Sequence, residues 1–268
     1  MTTTAEKQKR TNALINLLQD DNGAVASMAM EQLLNQDGLD ALIATLQDSA
    51  NPVLRQRIHQ LSNIITRRHL RRSLLERIAI DDITLWEAFR DINVYTDTQR
   101  SVSHIDELFE EINRPFKRRR ANTLQIISYL RECGFHASNE GGAKIEHYNV
   151  AEVLEYRSGA ALTLAVIAQK LGNASGWNAT IALHAGKYCL IDANFHMIDI
   201  AADWQISRVE RGKYHICARR DLINCLLCSL VVAANNEGLL RDFYLYSKLF
   251  ADINGIDLKA AGPPFEKK

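Results

Sequence analysis

The stretch Arg157-Ser158-Gly159-Ala160-Ala161-Leu162-Thr163-Leu164, continuing apolar to Leu171-Gly172, decides how this chain reads. Gly159 marks a break, and residues 160–171 then form a helix that carries almost no charge. A helix that is apolar on every side is buried on most sides. Residues 179–183 and 187–192 follow as two short β-like runs flanking His184-Ala185-Gly186, which reads as a hairpin turn. Residues 195–200 supply a third strand. A buried helix followed by an antiparallel hairpin predicts an α+β fold.

Upstream, residues 150–156 predict a short helix, and Asn139-Glu140-Gly141-Gly142 a turn. A helix over 124–130 ends near Gly134, where a C-cap is wanted. Residues 85–93 and 103–113 predict two more helices, the second with Ser103 as N-cap and Asp106 in an acidic first turn. After Asp203 the chain is expected to return to helix, over 222–234 and 239–253, with a frayed tail at Gly262-Pro263-Pro264.

The first 80 residues read as helical throughout and contain a weak repeat. Leu18-Gln19-Asp20 recurs as Leu46-Gln47-Asp48, and at the same offset of 28 Val25 matches Val53 and Gln32-Leu33 matches Gln60-Leu61. Two helix–turn–helix units of this kind predict HEAT-like pairs. Residues 64–80 continue as an amphipathic helix with a basic face at Arg67, Arg68, Arg71, Arg72 and Arg77. Asp81-Asp82 ends it. The expected organisation is a HEAT-like helical segment at 1–80, then at 81–268 an α+β domain with flanking and C-terminal helices.

Composition limits the function classes. The 268 residues carry 32 basic and 32 acidic side chains, so a chain-wide basic coat for nucleic acid or membrane is excluded. The polar first ten residues do not read as a secretory signal. No apolar run approaches the ~20 residues of a membrane-spanning helix; the run at 226–234 is about half that. Five cysteines in odd number read as free thiols in a reducing compartment, which predicts a cytoplasmic protein.

Helix, strand, strand is also the layout on which papain-like and transglutaminase-like enzymes mount a Cys, a His and an Asp. The nucleophile there starts the helix, where the dipole lowers the thiol pKa, and base and orienter come from the strands. Residues 148–200 resemble the transglutaminase-like domain of the bacterial regulators of SirC expression, a family that often adds TPR repeats and shares its domain with an F-box branch. The residues that carry the resemblance are Gly134-Phe135, Val153-Leu154, Arg157-Ser158-Gly159, Leu162-Thr163-Leu164, Leu171-Gly172 and Leu190-Ile191-Asp192. Weaker similarity extends to Arg219-Arg220-Asp221-Leu222.

The resemblance implies a nucleophile two residues after Gly159, and Ala161 stands there. It implies a Pro-Gly-His before the first strand, where Trp177-Asn178-Ala179 stands instead. Asp192 matches the family's aspartate, followed by Ala193 in place of proline. Asp192 then reads either as a site remnant or as an anchor for the adjacent turn.

These readings predict a non-catalytic, transglutaminase-like protein acting on a protein partner as an interaction or regulatory module, without a cofactor. Ala161 would open a buried helix facing Asp192. The alternatives are a relocated cysteine peptidase or amidase using Cys189 with His184, and a nucleic-acid binder using residues 117–120 and the basic helix. For Cys189, alternation with Tyr188 and Leu190 favours core packing over catalysis. Cys225-x-x-Cys228 encloses Leu226-Leu227 and lacks a second ligand pair at zinc spacing, so it reads as core. His136, His147 and His184 have nothing in the sequence to bring them together on a metal.

Overall fold

The computed structural model describes residues 4–36, 38–116, 120–138 and 144–257. The expectations for the 139–142 turn, for most of the basic run at 117–120 and for the 262–264 tail lie outside these residues. The chain divides into two compact units, Met1–Leu70 and Arg71–Lys268, with the division inside one long helix.

The first unit holds α1 (Thr4–Leu18), α2 (Gly23–Leu34), α3 (Leu39–Leu46) and the start of α4 (Pro52–Ala79). Asparagines open α2 and α4. The Asn22 side chain accepts from the Ala24 amide at 3.0 Å, and Asn51 accepts from Val53 and Leu54 at 2.9 and 3.2 Å. Each satisfies amides that a helix start leaves without partners. Leu14, Leu18, Ala29, Leu33, Leu39, Ile43, Leu54, Ile58 and Leu61 form one core. Leu33 and Leu61 are both fully buried, and Leu18 is buried while its counterpart Leu46 packs partly buried on the same core.

The second unit begins with α5 (Leu85–Thr96), opened by a capping box between Thr84 and Glu87. In α6 (Val102–Asn113) the N-cap is Ser101, which accepts from the His104 amide at 3.1 Å. Ser103 is not the cap, and Asp106 lies beyond the first turn, where it accepts from Arg90 at 2.7 Å and Trp86 Nε1 at 3.2 Å. Next come α7 (Thr123–Glu132), β1 (His136–Ala137), α8 (Val150–Tyr156), β2 (Ser158–Gly159) and α9 (Ala161–Ala174). Gly134, at φ +84°, ends the α7 segment as a glycine can. β1 and β2 pair in parallel.

Strands β3 (Ala179–His184), β4 (Lys187–Asp192), β5 (His196–Asp199), β6 (Gln205–Arg208) and β7 (His215–Ile216) form an antiparallel sheet in the order β6-β5-β4-β3-β7. The hairpin and third strand are as expected. β6 and β7 correct the expectation of helix after Asp203. Four largely exposed residues and two exposed ones carry no alternation of their own, and pairing with β5 and β3 makes them strands. Helices α10 (Arg219–Asn236) and α11 (Leu240–Asn254) close the unit.

Helix α9 buries Leu162, Leu164, Val166, Ile167 and Leu171, each stabilising the fold by roughly 2 kcal/mol relative to exposure. It packs on β3 and β4. On one sheet face Ala179, Ile181 and Leu183 stand opposite Asp192, Leu190 and Tyr188. On the other, Ala182, Cys189 and Ile191 pack with Met197, Val209 and Tyr214, so the connection from β6 to β7 covers that face.

Candidate functional site

Asp192 ends β4 and is 5% exposed. Four donors meet its two oxygens. Oδ1 accepts from the Asn194 and His196 amides at 2.8 and 2.9 Å. Oδ2 accepts from Thr123 Oγ1 at 2.5 Å and from His196 Nδ1 at 2.8 Å. The Thr123 hydroxyl in turn accepts from Trp177 Nε1 at 2.9 Å. A carboxylate has about four lone-pair sites, and here all are used. Burial alone would push the Asp192 carboxyl up; the bonds from Thr123, His196 and Asn194 outweigh it and hold its pKa below the ordinary 3.8. The carboxylate is ionised, so His196 Nδ1 carries the hydrogen it donates.

His196 is the residue that sequence reasoning missed. It sits four residues past Asp192, across the tight β4–β5 connection in which Phe195 takes φ +61°. The available signal was an Asp and a His bracketing a short turn. Nothing in the spacing says that the imidazole folds back onto the carboxylate, because that depends on the left-handed residue between them.

The residues named from the sequence are not assembled into one site. Ala161 does begin α9, half-buried, with the Ala160 amide donating to His147 O at 2.8 Å. Asp192 does not face it. Gln169, well along α9, donates to Ala179 O at 2.7 Å, and Ala179 is the register partner of Asp192. Eight residues of helix put Ala161 about 12 Å from that level. His184 is at the far end of the hairpin, opposite Lys187, five residues and roughly 17 Å along β3 from Ala179.

Cys189 is 2% exposed and its thiol donates to Ala182 O at 3.5 Å. Burial, with Asp199 and Cys217 nearby, pushes the thiol up to about 11. A thiol so placed is a packing group rather than a nucleophile. In the C-x-x-C segment Leu226 and Leu227 take the core, but Cys228 is exposed, which corrects its reading as core. Thr163 is buried with its hydroxyl on Tyr148 O at 3.4 Å.

At the entry to α9, Ser138 Oγ lies 3.1 Å from His147 Nε2, and the Ser138 amide donates to Gly159 O at 2.9 Å. The carboxylate nearest that imidazole, Glu146, is 3.6 Å from the same Nε2 and so does not orient the ring through Nδ1. His136 turns instead to Gly134 O at 2.9 Å. Among the described residues no group of three or more His, Cys, Asp or Glu is placed to hold a metal ion.

The basic face of α4 is partly spent within the chain. Arg71 pairs with Asp252 at 2.5 Å, and Arg77 with Glu87 at 2.8 Å and Asp91 at 3.7 Å. No helix among the described residues is long and apolar enough to cross a membrane.

These features define an α+β unit in which a buried helix backs an antiparallel sheet, with an Asp–His pair at one sheet end. The chain matches no protein-family model, no curated protein sequence and no solved structure.

Proposed function

We propose that this chain is a non-catalytic, transglutaminase-like protein that serves as a protein-interaction or regulatory module. The observation that carries the reading is the state of the thiol and acid such chemistry would need. Alanine opens α9, the Cys189 thiol is committed to a backbone carbonyl, and every lone pair of Asp192 is committed to the fold. A group saturated by structural donors has nothing left to offer a substrate. A binding role draws support from the helical pairs of the first unit, which leave Leu17, Met28 and Val53 exposed at 42%, 64% and 41%.

The test is alkylation of the folded protein with iodoacetamide, followed by peptide mass spectrometry across pH 6–9. Cys228 is expected to react first and Cys189 last, at the rate of global unfolding. Selective, pH-dependent labelling of Cys189 in the folded state would overturn the reading in favour of the relocated cysteine enzyme.

A further inference from the structure

Where Tyr214 of the β6–β7 connection lies against the sheet, a cavity of about 200 Å³ opens beside it. The strand register explains why its lining residues meet. Thr180 stands opposite Ile191, and Ile216 opposite Ala182, so they share the face on which Ala182, Ile191 and Tyr214 pack. Asn178, two residues before Thr180, lines the same cavity. Its polar side chains are uncommitted. Among the described residues no hydrogen bond is found for the Asn178 carboxamide, the Thr180 hydroxyl or the Tyr214 hydroxyl. Asn178 and Thr180 are exposed and Tyr214 is half-buried. The one carboxylate among the lining residues, Asp192, has both oxygens occupied by Thr123, His196 and Asn194. It stands opposite Ala179, on the other sheet face. The lining therefore offers a ligand three free polar groups and an apolar surface from Ile191, Ala193 and Ile216, but no ionic partner.

From this geometry we infer that the cavity binds a small, uncharged, planar heterocycle with an amide edge, the kind of edge a pyrimidine base presents. A charged ligand would lose hydration there without gaining an ion pair. A carboxamide and two hydroxyls can each donate and accept. Such a set matches an edge on which an N–H stands between two carbonyls. The apolar lining suits the flat face of the ring, in the usual division of a small-molecule site between apolar walls and a few polar groups. A sugar, with hydroxyls all round, would leave some of them unpaired against the isoleucines. The volume is below the ~300 Å³ at which pockets for drug-sized ligands begin, so it suits a single ring. The inference goes beyond the non-catalytic reading and is independent of it, since a reactive Cys189 would leave Asn178, Thr180 and Tyr214 unchanged.

The experiment is a titration of the full chain with uracil, up to its solubility limit, followed by proton–nitrogen correlation. Saturable shifts of the Asn178 side-chain amide and the Thr180 backbone amide are expected. Two other probes run beside it. In 1,3-dimethyluracil the ring is kept and both N–H donors are lost, so it should bind about fivefold or more weakly. Glucose, the sugar probe, should produce no saturable shift. Affinity for uracil should fall about fivefold in Asn178→Ala and in Thr180→Val, each of which removes one hydrogen-bonding group. Both residues are exposed and make no hydrogen bond through their side chains, so these variants should fold. The absence of a saturable response to uracil, an equal response to 1,3-dimethyluracil or to glucose, or variants that both bind like the parent would each overturn the inference.

Discussion

Replacing Asp192 with alanine tests the Asp192 network most directly. The substitution leaves four donors without an acceptor: Thr123 Oγ1, His196 Nδ1 and the amides of Asn194 and His196. The imidazole is one-third exposed, so water can serve it. The other three lie at a buried helix start and in a tight turn. At about 1–1.5 kcal/mol each, their loss sums to roughly 3–5 kcal/mol. For a unit of this size that lowers the melting temperature by about 10 °C. The assay is thermal and urea unfolding followed by tryptophan fluorescence. Trp86, Trp177 and Trp204 all lie in the Arg71–Lys268 unit, so the signal reports the right unit. Asp192→Asn should fall between, because its one oxygen still serves the two amides while Thr123 and His196 can turn to accept from the new NH₂.

The pH dependence has a definite sign. The folded-state pKa of Asp192 lies below 3.8, so its stabilisation is fully present above the unfolded value and is lost as pH falls through the folded one. The parent should therefore lose stability more steeply than Asp192→Asn below about pH 4. An Asp192→Ala variant within about 0.5 kcal/mol of the parent at neutral pH would refute the account, because that is the range of substitutions that touch nothing.

Other substitutions follow from the same structure. A Cβ at Gly172 would sit 2.1 Å from Trp177 Cε3, so Gly172→Ala must displace the ring that bonds Thr123 and should cost about 1–3 kcal/mol by urea unfolding. Arg100 holds Glu152 and Glu155 at 2.7 Å each; with the side chains about a fifth to a third exposed, Arg100→Ala should cost only about 1 kcal/mol, less at high salt. The Arg100 bond keeps Glu155 below its ordinary 4.5, so in that variant its carboxyl should titrate closer to 4.5 by NMR. Asn51→Ala removes the cap of α4 and should cost about 1 kcal/mol. It should appear in helical circular dichroism rather than in tryptophan fluorescence, since the tryptophans lie in the other unit.

The sequence by itself determined the elements whose signal is local. The uncharged run after Gly159 reads as a buried helix and His184-Ala185-Gly186 between two apolar runs as a hairpin turn, and both are found. The leucines that the weak repeat aligned, Leu18, Leu33 and Leu61, lie buried in the core of the first unit, with Leu46 partly buried against it. What only the tertiary structure decided was everything set by pairing. β6 and β7 exist because β5 and β3 offer them hydrogen bonds. Ala161 and Asp192 are separated because β3 runs back along α9, bringing the Asp192 end of the hairpin level with the later turns of the helix. His196 meets Asp192 because a left-handed Phe195 reverses the chain between them. Spacing along a sequence fixes which face a side chain takes, but not which distant side chain will meet it there.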